Sequence, residues 1–178
     1  MTAEYEAVVY DLDGTLARLA VDWEQVREDV ASKLRARDIE VEEMSLWDLF
    51  EHAHGGPLER AVEEAIEAHE REGARRSDRL SLADELPLDV PVGVCSLNCE
   101  AACRIALEMH GLDRHVQTIV GRDTLDSYKP DPEPLLHAIR GLDAEPTAAL
   151  FVGDSESDEL AAERAGVEFQ YVADRTSR

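Results

Sequence analysis

The polar residues able to do chemistry in this chain sit at the ends of apolar runs. Asp11 and Asp13 follow YEAVVY, Ser96 follows a run ending in Cys95, and Asp154 follows ALFV with Asp158 close after it. Lys129 stands before Pro130, ahead of a helical pattern. Several carboxylates without a histidine or cysteine among them suit a hard cation. Mg²⁺ fits best, since it is held by a few carboxylates together with water and substrate phosphate oxygens. A lysine and a hydroxyl opposite such a cation suit a phosphoryl group. Asp11 and Asp13 would share one face of a strand, a relation that changes once the chain leaves the strand.

These residues need a scaffold that brings strand ends together. Tyr5–Tyr10, Val90–Cys95, Val116–Gly121, Ala148–Val152 and Phe169–Val172 read as short apolar strands. Between the later ones lie helical patterns. Cys99–His110 has Asn98 placed as N-cap and Gly111 as C-cap, Pro132–Arg140 is closed by Gly141, and Glu156–Ala165 by Gly166. Alternating strands and helices predict an α/β fold with a Rossmann-like parallel sheet and right-handed crossovers. In such sheets ligands bind beyond the carboxyl ends of the strands, where these polar residues fall. Residues 22–38 carry Val26, Val30 and Leu34 at helical spacing, and Met44–His54 and Pro57–Glu72 read as two more helices. Gly73 to Asp78 reads as a breaker-containing connection. The expected division is a core of residues 1–16 and 79–178, with a small α-helical cap, 17–78, inserted after the first strand.

The 178 residues hold 40 acidic against 18 basic ones, a formal net charge of −22, and only Lys33 and Lys129 are lysines. Such self-repulsion destabilises a compact chain in dilute buffer and is screened at molar salt. The acidic, lysine-poor surface resembles that of proteins from salt-accumulating halophiles. It disfavours nucleic acid and anionic membranes as partners. No run approaches the roughly 18 apolar residues that span a bilayer. MTAEYEAVVYDLDGTL does not read as a signal peptide, so a cytoplasmic location is expected. Cys95, Cys99 and Cys103 form no CxxC pair and read as buried small hydrophobes. Oligomeric state and substrate are not legible.

DLDGTL at 11–16, Ser96 after its strand, YKPDPEP at 128–134 and FVGDSESD at 151–158 resemble the four ordered motifs of the haloacid dehalogenase-like hydrolases. GDSESDELAAERAG is similar to the phosphoglycolate phosphatase-like branch of that superfamily. The resemblance implies that Asp11 attacks phosphorus to form an aspartyl-phosphate, and that Asp13 serves as general acid and then base. It implies Mg²⁺ on Asp11, the Asp13 carbonyl and Asp154, with Asp158 close behind, although Asp158 also suits a first-turn helix acid. Ser96 and the Leu97 N–H would bind phosphoryl oxygens, and Lys129 would neutralise them. Thr15 either joins that site or supports its loop. Asn98 reads chiefly as a cap, and Arg122 and Asp123 as structural. Arg18 suits a substrate carboxylate or a solvated hinge equally. Trp23, Trp47 and Phe50 read as packing within the cap, and His52 and His54 as surface residues. The implied partner is a small-molecule phosphate ester. A β-phosphoglucomutase-type mutase and a non-catalytic binding protein remain alternatives.

Overall fold

The computed structural model of the protein describes residues 5–176. Its main sheet has five parallel strands: β1 (Ala7–Tyr10), β4 (Val92–Cys95), β5 (Thr118–Val120), β6 (Ala149–Gly153) and β7 (Glu168–Tyr171). Their spatial order is β5-β4-β1-β6-β7. Strand β1 is central, with Val8 opposite Val92 on one side and Leu150 on the other. Every residue of β1, β4 and β6 is buried, because helices cover both faces. From β1 the chain builds outward through β4 and β5, then returns to the other side for β6 and β7. The sense of winding reverses at β1, which opens a crevice beyond its carboxyl end.

Alternation along β1 feeds two cores. Val8 and Tyr10 pack with Val92, Val94, Leu150 and Val152 and with Ala102, Ala106 and Leu107 of α4 (Glu100–Met109). Ala7 and Val9 pack on the opposite face with Phe151, with Leu135 and Ile139 of α5 (Glu133–Arg140), and with Ala162 of α6 (Glu156–Ala165). Helix α6 starts with a reciprocal capping box between Ser155 and Asp158 and ends at Gly166 in the left-handed conformation.

Between β1 and β4 lie three helices: α1 (Trp23–Arg35), α2 (Leu46–Ala53) and α3 (Glu59–Arg75). Their stripes meet in a third cluster that includes Val26, Val30, Leu34, Leu49, Phe50, Val62 and Ile66. Tyr128, from the loop before α5, packs against this cluster. A two-stranded antiparallel ribbon, β2 (Ala17–Arg18) with β3 (Asp78–Arg79), carries the chain out to these helices and back.

Several local expectations change. Gly73 does not break its helix; α3 runs to Arg75. A Cβ on Gly73 would stand 2.5 Å from Val21 Cγ2 and 3.1 Å from the Ala20 backbone, so the missing side chain permits a close crossing. Asn98 does not cap α4: the N-cap is Cys99, without a side-chain cap bond of its own. The carboxylate of Glu70, from α3, accepts from the Cys99 N–H at 2.9 Å instead. Tyr171 ends β7, and a short helix α7 (Val172–Thr176) follows. The three cysteines are free and buried, as their types suggest, and burial pushes the Cys95 thiol up to about 12. Among the described residues no helix is long and apolar enough to cross a membrane.

Candidate active site

Three loops at the carboxyl ends of β1, β4 and β6 converge with the Tyr128–Pro130 turn. Asp11 leaves β1 directly, its N–H donating to Val152 O at 2.8 Å, so the central pair of strands fixes its backbone. The chain then turns tightly, with the N–H groups of Thr15, Leu16 and Ala17 all donating to Leu12 O. Gly14 adopts φ +85°, and a Cβ there would lie 2.0 Å from Asp154 Oδ2. The turn can therefore press against Asp154 only without a side chain. Gly14→Ala is expected to push Asp154 aside and to destabilise the fold by about 1 kcal/mol or more, read by denaturant melts.

Lys129 joins the loops. Its Nζ donates to Asp11 Oδ1 at 2.9 Å, to Cys95 O at 3.0 Å, and to Asp158 Oδ1. All of Asp11, Lys129 and Asp158 are at least nine-tenths buried. Asp158 spends its other oxygen on the Ser155 hydroxyl at 2.7 Å and on the N–H groups of Asp154 and Ser155. It thereby links Lys129 to the loop that carries Asp154. Flanked by two buried carboxylates, the Lys129 ammonium is held above its ordinary value, and desolvation does not neutralise it.

Asp11 is in the opposite position. Burial pushes its carboxyl up to about 7, against the pull of Lys129 and with the repulsion of Asp158 and Asp154 added. Asp13 is also raised, by burial first, although Leu19 N–H donates to its Oδ1 at 2.9 Å. Asp154, more exposed, is raised by partial burial and then by Asp158 and Asp13. A folded value above the 3.8 of a free carboxyl means that Asp11 supports the fold below about pH 4. That support is lost as pH rises through about 7. In EDTA, Asp11→Asn should therefore gain stability over wild type as pH climbs across this window. The difference should plateau on the order of 1–3 kcal/mol above it, read by thermal melts at each pH.

The crowding suits a cation. Asp11, Asp154 and Asp158 can each bring one carboxylate oxygen within 4.8 Å of the others. An all-oxygen donor set of this kind fits Mg²⁺ and gives no soft ligand for zinc or copper.

Above these carboxylates lies a cavity of about 430 Å³. Asp11, Asp13, Ser96, Leu97, Asn98, Lys129 and Asp154 form its floor. Ser96 Oγ accepts from Asn98 N at 3.2 Å and from Asn98 Nδ2 at 3.3 Å, which shapes the loop after β4. Thr15 does not reach the cavity; its hydroxyl is buried without a partner beneath the first loop. Arg18 is exposed on the ribbon and does not line the cavity, although its charge acts on Asp13 at the floor. Trp23, Trp47 and Phe50 line the upper wall with Leu46 and Ile66. Trp47 stacks on Tyr128 with centroids 6.0 Å apart, so these rings are more than internal packing of the insertion.

Glu70 and Arg122 also line the cavity, and sequence reasoning gave neither a place there. Arg122 Nη1 binds Glu70 Oε1 at 2.5 Å and Leu97 O at 2.8 Å, while Nη2 reaches Glu70 Oε2 at 3.2 Å. With the Glu70–Cys99 bond, the pair ties α3 to the loop after β4. The available signal was an acid in the apolar stripe of α3, below Val62 and Ile66, where a carboxylate needs a partner.

Comparison with known proteins agrees with this architecture. A family model described as haloacid dehalogenase-like hydrolase matches residues 8–172. A phosphoglycolate phosphatase from Rhodospirillum rubrum is 42% identical over 78 residues, covering 44% of this chain and 32% of the relative. The pyrophosphatase PpaX of Bacillus cereus is 27% identical over 148 residues, covering 82% of this chain and 61% of the relative. The chain thus spans less than two thirds of either relative's length. A solved structure of a HAD-superfamily hydrolase, subfamily IA, from Geobacter sulfurreducens superposes with a TM-score of 0.59. It is 27% identical, and the match covers 93% of this chain and 88% of that one.

Proposed function

The chain belongs to the haloacid dehalogenase-like hydrolases, and on that premise we propose that it hydrolyses small-molecule phosphate monoesters through an aspartyl-phosphate on Asp11. The observation that carries the reading is the buried Asp11–Lys129–Asp158 chain at the cavity floor, with Asp13 beside it. Asp11, Asp154 and the Asp13 carbonyl would hold Mg²⁺, with Asp158 behind them bracing Lys129. The cation supplies charge neutralisation that lets an anionic nucleophile approach an anionic phosphate.

An Asp11 carboxylate oxygen attacks phosphorus, and the bond to the ester oxygen breaks. Asp13, whose carboxyl is raised by burial, gives its proton to that leaving oxygen. Water then attacks the phosphorus of the aspartyl-phosphate, Asp13 takes the water's proton, and the Asp11 carboxylate leaves restored. Ser96, the Leu97 N–H and Lys129 stabilise the charge on the transferred group. We take residues 17–78 as the cap that covers this reaction from water.

The relatives' names point to phosphoglycolate, a monoester, and to pyrophosphate, an anhydride; the lining of the cavity weighs against both as the substrate of this chain. The net charge of −22 argues against nucleic acid and anionic membranes as partners. It also points to a protein adapted to molar salt. The reading is tested by phosphate release from p-nitrophenyl phosphate in molar KCl. Turnover should require Mg²⁺ and stop with EDTA; metal-independent turnover, or none in folded, metal-loaded protein, would count against it.

A further inference from the structure

The upper cavity carries information that the relatives' names do not. Five apolar side chains, Trp23, Leu46, Trp47, Phe50 and Ile66, form its wall opposite the carboxylates. Phe50 and Ile66 are buried in the helical cluster, whereas Trp23 and Trp47 remain 43% and 44% exposed. Two large indoles left partly bare at the mouth of a reaction site offer apolar contact to whatever enters it.

A substrate with a second anionic group would need a cation at this end, and the described residues lining the cavity provide none that is free. Its two cationic side chains are Lys129 and Arg122. Lys129 is committed to Asp11, Asp158 and the Cys95 carbonyl. Arg122 is bound through both terminal nitrogens to Glu70 and, through Nη1, to Leu97 O; its Nε, without a partner, is itself buried. The guanidinium is neutralised by a carboxylate that also faces the cavity, so a second carboxylate or phosphate would gain no partner and meet Glu70. The volume of about 430 Å³ also exceeds what a two-carbon phosphate would fill, leaving the apolar wall in contact with water.

We infer that the alcohol part of the substrate is an uncharged, ring-bearing apolar group seated against Trp23, Trp47 and Phe50, and that phosphoglycolate and bisphosphates are poor substrates. This rests on the phosphatase reading above. Phosphate lies on the floor at Asp11, and the ring lies on the wall supplied by α1, α2 and α3.

The test compares kcat/KM for benzyl phosphate, ethyl phosphate and phosphoglycolate under one set of Mg²⁺ and KCl conditions. All three release primary alcohols, so differences report binding of the alcohol part in the transition state. Benzyl phosphate is expected to exceed both others by about tenfold or more, since even one methylene in an apolar pocket discriminates on that scale. Trp47→Ala and Trp23→Ala, at partly exposed positions, should each lower the benzyl-to-ethyl ratio about fivefold. Equal use of benzyl and ethyl phosphate, or preference for phosphoglycolate, with turnover still dependent on Asp11, would overturn this inference and leave the phosphatase reading standing. Turnover of no ester at all would sink both.

Discussion

Asp11→Asn is expected to lower phosphate release by at least about 10⁴-fold while leaving the protein folded. The amide keeps the shape of the carboxylate and can still accept from Lys129 Nζ, 2.9 Å from Oδ1 in the native site. It offers no anionic oxygen to attack phosphorus. The same change removes one of three carboxylates crowded around a candidate cation site. Loss of activity with equal or greater metal-free stability would separate a chemical role from a structural one. A residual rate within about tenfold of wild type would mean that another group delivers the nucleophile.

The second large effect concerns the fold. Glu70→Ala would leave the Arg122 guanidinium buried and unpaired, with side chains only 3% and 1% exposed at the two positions. It would also strip the Cys99 N–H of its acceptor. Removing one partner of such a pair costs about 3–5 kcal/mol, far more than the pair's net worth, because a desolvated charge is stranded. Denaturant melts should show that loss. The double change Glu70→Leu with Arg122→Met should recover most of it. A loss below about 1 kcal/mol for Glu70→Ala would show that water or another acceptor reaches Arg122. Since Arg122 also grips Leu97 O, the single variant should raise KM for phosphate esters as the loop after β4 loosens.

The strands and the polar residues after them were legible because a buried parallel sheet has a simple signature. Its strands are unbroken apolar runs, and the first polar residue after each marks the sheet edge. Asp11, Ser96 and Asp154 could be placed in this way before their mutual distances were known. Lys129 stood out as one of two lysines. The Glu70–Arg122 pair was not legible, because its partners lie 52 residues apart and no local period links them. Asn98 shows the same limit. Its residue type and position suit an N-cap, yet Glu70, reaching across from α3, binds the Cys99 N–H. Gly73 looked like a helix breaker because glycine's low helix propensity is local, whereas the close crossing with Ala20 and Val21 that requires it is tertiary. Trp23 and Trp47 read from the sequence as packing within the cap, and only the way the helices pack onto the sheet turns their indoles toward the cavity.

In the proposed mechanism phosphate passes through a covalent link to Asp11. The most direct test is the stereochemical course at phosphorus, followed with a monoester whose phosphate is chiral through oxygen isotopes. Two successive in-line displacements, first by Asp11 and then by water, predict net retention of configuration. Net inversion would mean that water attacks the ester directly, and would contradict the account however strongly turnover depended on Asp11.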